Sequence, residues 1–271
     1  MASFDSAAVA YDDQFTFSRI GQFQRDQVWT YLKNLSDFNR PLKILELNCG
    51  TGYDAAFMAK HGHQVIATDI SDAMLSKTRQ RLASDDLEKQ VELYKYDLSS
   101  KIQEQEKLIG DHWAPNTYDM IFSNFGGLNC ISPDELTRLC KELENLLLDK
   151  GHVIFVLMPR YCLVDLVYNF IKLRFKKVFN RIFAFSVLVD VDDEEVATYY
   201  HDLSGFRENF TETSVLKKRI VGFTPSYLEN FVARFPFLLH IERSSLGLLG
   251  RIGFLSWFAD HTLIHLKKGG S

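Results

Sequence analysis

The chain is poor in proline, with 6 residues, and in cysteine, with 4, and no charge sign dominates: 31 Lys and Arg stand against 35 Asp and Glu. Few prolines beside 46% hydrophobic residues exclude a disordered or low-complexity chain. Cys49, Cys130, Cys140 and Cys162 form no CxxC pair and no cluster with histidine, which argues against a disulfide framework or a structural zinc site and points to a reducing compartment. A net charge of -4 offers no general attraction for a phosphate backbone, so nucleic acid is not an expected partner. No apolar run approaches the ~18 to 20 residues that span a bilayer. The opening "MASFDSAAVAYDDQF" lacks a basic n-region and an apolar h-region, so a cytoplasmic protein is expected, and the "KKGGS" ending reads as a frayed tail.

What is present fits one α/β core with an insertion, the arrangement that 271 residues support best. Short apolar runs rich in β-formers, "PLKILEL", "HQVIATDI", "VELYKYDL", "YDMIFSNF" and "GHVIFVLMP", alternate with amphipathic helical patterns, which predicts a doubly wound, mostly parallel sheet. "SDAMLSKTRQRLAS" opens on the capping pair Ser71 and Asp72, and "SPDELTRLCKELENLLLDKG" opens on a Ser-Pro-Asp-Glu start and is expected to close at Gly151. Past residue 160 the alternation breaks. A long apolar and basic helical pattern is followed by the acidic turn "DVDDEE" and two β-like runs, "VATYYHDL" and "SVLKKRIVG", which together read as a cap insertion over 161–222. A helix, "TPSYLENFVARF", a strand, "FLLHIERSSL", and a last strand, "HTLIHLKK", are expected to complete the core over 223–268.

The turn "ILELNCGTG" follows the first strand and opens a helix, so its backbone N–H groups and a helix N-terminus gather over one spot. A nicotinamide fingerprint would read G-x-G-x-x-G; here two of the three glycines are missing, which disfavours a dehydrogenase. Instead Glu46, Gly50 and Gly52 resemble motif I of the class I S-adenosylmethionine-dependent methyltransferases of the small-molecule type. Asn48 departs from that pattern at a place where positive φ is needed, and Asn is the non-glycine residue that adopts it best. Three downstream features agree with the resemblance: Asp69 with Ile70 at the end of "VIATDI", Asp97 with Leu98 in "YKYDL", and Ser123-Asn124 closing the fourth strand.

The resemblance implies a Rossmann-like sheet with an antiparallel last strand, a core over 41–160 that binds S-adenosylmethionine, and an N-terminal lid over 1–40 in which Tyr11, Phe15 and Arg19 touch the cofactor. Glu46, Asn48, Gly50 and Gly52 would hold its methionine end, Asp69 its ribose hydroxyls and Asp97 its adenine, with S-adenosylhomocysteine as the product. A carboxylate suits a ribose because it only accepts hydrogen bonds and can take two O–H donors. Methyl transfer needs in-line alignment, worth on the order of 7 to 11 kcal/mol, and no metal. For a general base His201 in "TYYHD" is the first candidate, ahead of His112, His240, His261 and His265, with Phe125, Asn129, Tyr199 and Tyr200 around the acceptor. The fourth-strand motif lacks the N-P-P-Y pattern of amino-methyltransferases of nucleic acids, and 22 phenylalanines favour a small hydrophobic or aromatic acceptor, methylated at oxygen.

Residues 163–183 interleave Leu163, Val167, Phe170, Ile171 and Phe179 with Lys172, Arg174, Lys176, Lys177 and Arg181. A cap helix, or an interfacial helix that meets a membrane or an amphiphile, both fit that pattern. The rival reading of the whole chain is a non-catalytic protein of the same fold that docks through this basic helix.

Overall fold

The alternation of apolar runs and helices builds one twisted sheet. A computed structural model describes residues 5, 8, 11–102, 110–184, 186–191, 194–203, 206–249 and 253–269. Its strands are β1 (Lys43–Leu47), β2 (Gln64–Asp69), β3 (Val91–Lys95), β4 (Tyr118–Ser123), β5 (Leu147–Leu157), β6 (Val187–Val191), β7 (Glu194–Thr198), β8 (Thr213–Gly222) and β9 (His261–Lys268). Seven of them form the central sheet in the order β3-β2-β1-β4-β5-β9-β8, and β6 pairs with β7 alone. β1 to β5 run parallel, and β9 inserts antiparallel between β5 and β8, as the doubly wound α/β fold with an antiparallel last strand requires.

Alternate residues of the central strands serve opposite faces. Leu45, Leu47, Ile121 and Phe155 pack on Leu136, Leu139 and Leu143 of α4 (Pro133–Leu146). Ile44, Met120, Phe122 and Ile154 pack on Val28 and Leu32 of α1 (Arg19–Lys33) and on Ala55 and Met58 of α2 (Tyr53–Lys60). Residues 53–60 reach the sheet at once because the turn before them is so tight. Helix α3 (Asp72–Ser84) is capped by Ser71, whose hydroxyl accepts from the Met74 N–H, and α4 carries a full capping box between Ser132 and Glu135.

Several elements differ from expectation. Helix α4 stops at Leu146 rather than at Gly151, because Leu147 turns extended to pair with Tyr118, and Gly151 follows the positive-φ Lys150 inside β5. The basic helical pattern is broken in two, α5 (Leu163–Ile171) and α6 (Phe175–Phe183), at Leu173, whose φ is 55°. "SVLKKRIVG" is no part of a separate cap: as β8 it is the edge of the central sheet, where Ile220 and Val221 are buried. "FLLHIERSSL" is not a strand. After α7 (Glu229–Arg234) it forms α8 (Phe237–Leu249), since Leu239, Glu242 and Leu246 sit three and four apart on the face turned to Phe23 and Ile220. Gly270 and Ser271 of the expected frayed tail lie outside the described residues. Among the described residues no helix is long and apolar enough to cross a membrane.

Candidate active site

The order of strands reverses between β1 and β4, and the carboxyl ends of β1 to β5 open there on a cavity of about 1090 Å³. The "NCGTG" turn forms its floor. Three left-handed residues alternate in it, Asn48 at φ 49°, Gly50 at 56° and Gly52 at 75°. Gly52 admits no side chain, because a Cβ there would lie 2.4 Å from a Thr78 methyl. Asn48 keeps the turn that glycine would make and adds a tie: its amide donates to the Asn124 carbonyl at 2.9 Å, and its Oδ1 accepts from Ser123 Oγ at 2.6 Å. The same side chain occupies the space beside Gly127, where a Cβ would come within 2.2 Å of it. The departure at Asn48 therefore locks the β1 loop to the β4 loop.

Asp69 accepts from the Gly50 N–H at 2.8 Å and from the Ser71 N–H at 3.0 Å, which aims its carboxylate at the turn and leaves lone pairs for further donors. Burial raises its carboxyl above the usual carboxylate range, against those backbone donors. Glu46 is buried beneath the turn with Oε2 unpaired; burial pushes its carboxyl well up, and neighbouring Asp54 pushes it further. The N-terminal segment folds over this floor. Asp12 accepts from Thr51 Oγ1 at 2.6 Å and from Arg81 at 2.7 Å, while Arg81 also donates to the Thr51 carbonyl. Tyr11 lines the cavity beside Gly50, its hydroxyl pushed up to about 12 by burial, and Phe15 meets Phe125 edge-on at 4.9 Å.

Of the residues expected from the sequence, Tyr11, Asn48, Gly50, Asp69, Ile70, Leu98, Asn124, Phe125 and Tyr200 line this one cavity. Others stand behind it. Gly52 and Ser123 shape the loops, and Asp97 turns its carboxylate to the Ser99 N–H and hydroxyl. Arg19 faces away, bound to Glu229 and to the Ala233 carbonyl. Asn129 is a buried strut whose amide donates to the Met158 and Tyr199 carbonyls, and Tyr199 returns its N–H to the Asn129 carbonyl. His201 does not reach the cavity: its ring is buried, its Nε2 bonds the Leu128 carbonyl, and burial lowers its pKa.

Two further groups complete the site: Arg25, which the sequence did not mark, and His261, which it ranked behind His201. Arg25 from α1 is 5% exposed, lies 5.0 Å over the rings of both Tyr53 and Phe125, and approaches Asp54 at 3.4 Å. Asp54 is itself held by Trp29 at 2.6 Å and by Asn124 at 3.0 Å. His261 is the second. It begins β9, and because that strand runs antiparallel its start lies at the carboxyl edge of the parallel strands, with Thr262 opposite Leu157. Its Nδ1 lies 2.8 Å from Asp260 Oδ2; a carboxylate can only accept, so Nδ1 carries the hydrogen and Nε2 is left as the basic nitrogen. Burial would raise the Asp260 carboxyl, but the His261 ring, Arg181 and the Gln24 amide hold it below its usual range. The first residue of a strand, paired with its neighbour in sequence, gave no signal by spacing.

The strand order, the antiparallel last strand and the turn at the switch point define a doubly wound α/β protein of Rossmann-like fold. Residues 44–151 match the family model described as "Methyltransferase domain". A protein of Clavibacter sepedonicus named demethylmenaquinone methyltransferase is 31% identical over 147 residues, which are 52% of this chain and 53% of that protein. The chain thus matches about half the length of that relative, and a protein of the same name from Bacteroides fragilis is 28% identical over 57% of its length. In fold, an S-adenosylmethionine-dependent methyltransferase from Mesorhizobium loti superposes with a TM-score of 0.55 at 13% identity, over 89% of this chain and 98% of that one.

Proposed function

We propose that this chain transfers a methyl group from S-adenosylmethionine to a small, apolar aromatic acceptor, at a hydroxyl oxygen. The observation that carries this reading is the single cavity that runs from the motif turn, at Asn48, Gly50 and Asp69, to His261 and to the apolar residues Val187, Val189 and Val196. Its volume of about 1090 Å³ exceeds the range of roughly 300 to 1,000 Å³ for one small ligand, which suits a cofactor and an acceptor side by side. The relatives' name carries a demethylated quinone, a small apolar ring compound, as their acceptor.

The residues present fit the cofactor. Asp69 retains acceptor capacity for ribose hydroxyls, the unpaired Glu46 Oε2 beneath the turn favours the cationic methionine end, and Leu98 offers an apolar wall for the adenine. When bound, S-adenosylmethionine supplies an activated methyl group and its own leaving group. The chain's part is to align, to exclude water and to move one proton. Tyr11 and Phe15 from the N-terminal segment cover the floor, while Phe125 and Arg25 wall the passage towards the acceptor. His261, oriented by Asp260, takes the acceptor's hydroxyl proton on Nε2.

Isothermal titration with S-adenosylhomocysteine tests the cofactor, with micromolar binding expected. Asp69→Ala should weaken it by about 1.5 to 3 kcal/mol, the value of hydrogen bonds to a charged group. Incubation with labelled S-adenosylmethionine and a panel of naphthols and hydroquinones then tests the acceptor, with mass spectrometry locating the methyl group. A folded protein that ignores S-adenosylhomocysteine, or one that binds it and methylates none of these hydroxyls, would sink the reading.

A further inference from the structure

Beside the mouth of the cavity, α5 and α6 form a hairpin whose tip leaves Phe170 61%, Ile171 71% and Leu173 73% exposed, with Phe183 at 73% on the second helix. A chain in water hides such side chains unless the patch has an occupant. Lys172, Arg174, Lys176 and Lys177 are exposed among them. Between 163 and 183 there is a single acid, Asp165, and it is buried in an ion pair with Arg181 and a 2.6 Å hydrogen bond from Tyr227. The outward surface of the hairpin is therefore apolar and cationic, with no carboxylate.

We propose that this hairpin seats the protein on an anionic lipid surface, with Phe170, Ile171 and Leu173 entering the acyl boundary and the four cations at headgroup level. The interleaving selects lipid over protein. Interface cores between proteins are depleted in lysine, whereas at a bilayer the long side chains reach up to the phosphates while their stems stay among apolar neighbours. An anionic leaflet adds attraction for each juxtaposed Lys or Arg. Arg174, Lys176 and Lys177 also line the cavity, so its mouth opens at the seated surface, where an apolar acceptor would be concentrated. Only this delivery rests on the proposed methyl transfer; the seating itself does not.

The test is sedimentation of the full chain with phosphatidylcholine vesicles, with and without phosphatidylglycerol. Pelleting is expected with the anionic vesicles, at least about tenfold weaker with phosphatidylcholine alone and weakened by added salt. The combined variant Phe170→Ser, Ile171→Ser, Leu173→Ser should lose at least about tenfold in vesicle binding, since each side chain gives up apolar burial. Its binding of S-adenosylhomocysteine should match that of the parent, which reports its fold and keeps this test separate from the cofactor reading. Phe179→Trp should show a blue-shifted emission with anionic vesicles, quenched by brominated acyl chains. No pelleting with anionic vesicles at low salt, or equal binding by the triple variant, would overturn the seating. So would a parent that is a dimer and a triple variant that is a monomer, since the patch would then cover a second copy.

Discussion

At the scale of single residues, Asn48 shows how a departure from a motif can be absorbed. Its φ of 49° satisfies the turn, and its amide takes on a tie to Ser123 and Asn124 that glycine could not make. The cost is displaced onto Gly127, which now has no room for a Cβ. Gly127→Ala should destabilise the protein by about 1 to 3 kcal/mol, as overpacking does. In an Asn48→Gly background the same change should be nearly neutral, and a urea-unfolding double-mutant cycle would measure that coupling. His261→Gln should lower kcat by about 10² to 10⁴ while leaving S-adenosylhomocysteine affinity unchanged, the signature of a lost base; an equal loss of cofactor binding would mean a structural role. His201 could be misread because a histidine beside two tyrosines looks functional in one dimension. In three, Leu128 and the burial of its ring account for it.

At the scale of elements, the local signals that proved dependable were caps. Ser71 and Ser132 start their helices where expected, because a hydroxyl accepting a free N–H needs only neighbours in the chain. Ser132→Ala removes one half of a capping box and should lower stability by about 0.5 to 2 kcal/mol in thermal or urea unfolding, with the cofactor affinity intact. Helix ends and strand identity were less legible. "FLLHIERSSL" carries β-forming apolar residues, but its spacing of Leu239, Glu242 and Leu246 decides for a helix once Phe223 and Thr224 are there to pair with Glu242. The 163–183 pattern gave its amphipathic character correctly, while the break at Leu173 depends on how the two halves dock.

At the scale of the molecule, a polar chain runs from half-exposed Asp37 to the buried His152, His265 and Tyr31. Asp37 accepts from His152 at 2.8 Å, His152 lies 2.8 Å from His265, and His265 lies 2.7 Å from Tyr31. With both rings neutral every link has one donor and one acceptor; a proton added to either ring breaks a link. Burial holds His265 down to about 3 and lowers His152 as well. The unfolded chain binds these protons from about pH 6.5 downward and the native one resists, so stability is fully present above that pH and falls as pH drops towards 3. The urea midpoint should decline over that window, and His265→Gln should flatten the decline.

The sequence by itself determined the α/β alternation, the left-handed turn after β1 and most of the residues that line the cavity floor. Each of those rests on residues within a few positions of one another, or on a strand end followed by its own loop. What tertiary structure alone decided was the far side of the site. Arg25 comes from the N-terminal helix and His261 from the last strand, 236 positions apart in number. They share one cavity because β9 runs backward through the sheet and delivers its first residue to the edge where the parallel strands end. The partner of a strand is chosen by long-range hydrogen bonding and burial, which no window of sequence contains.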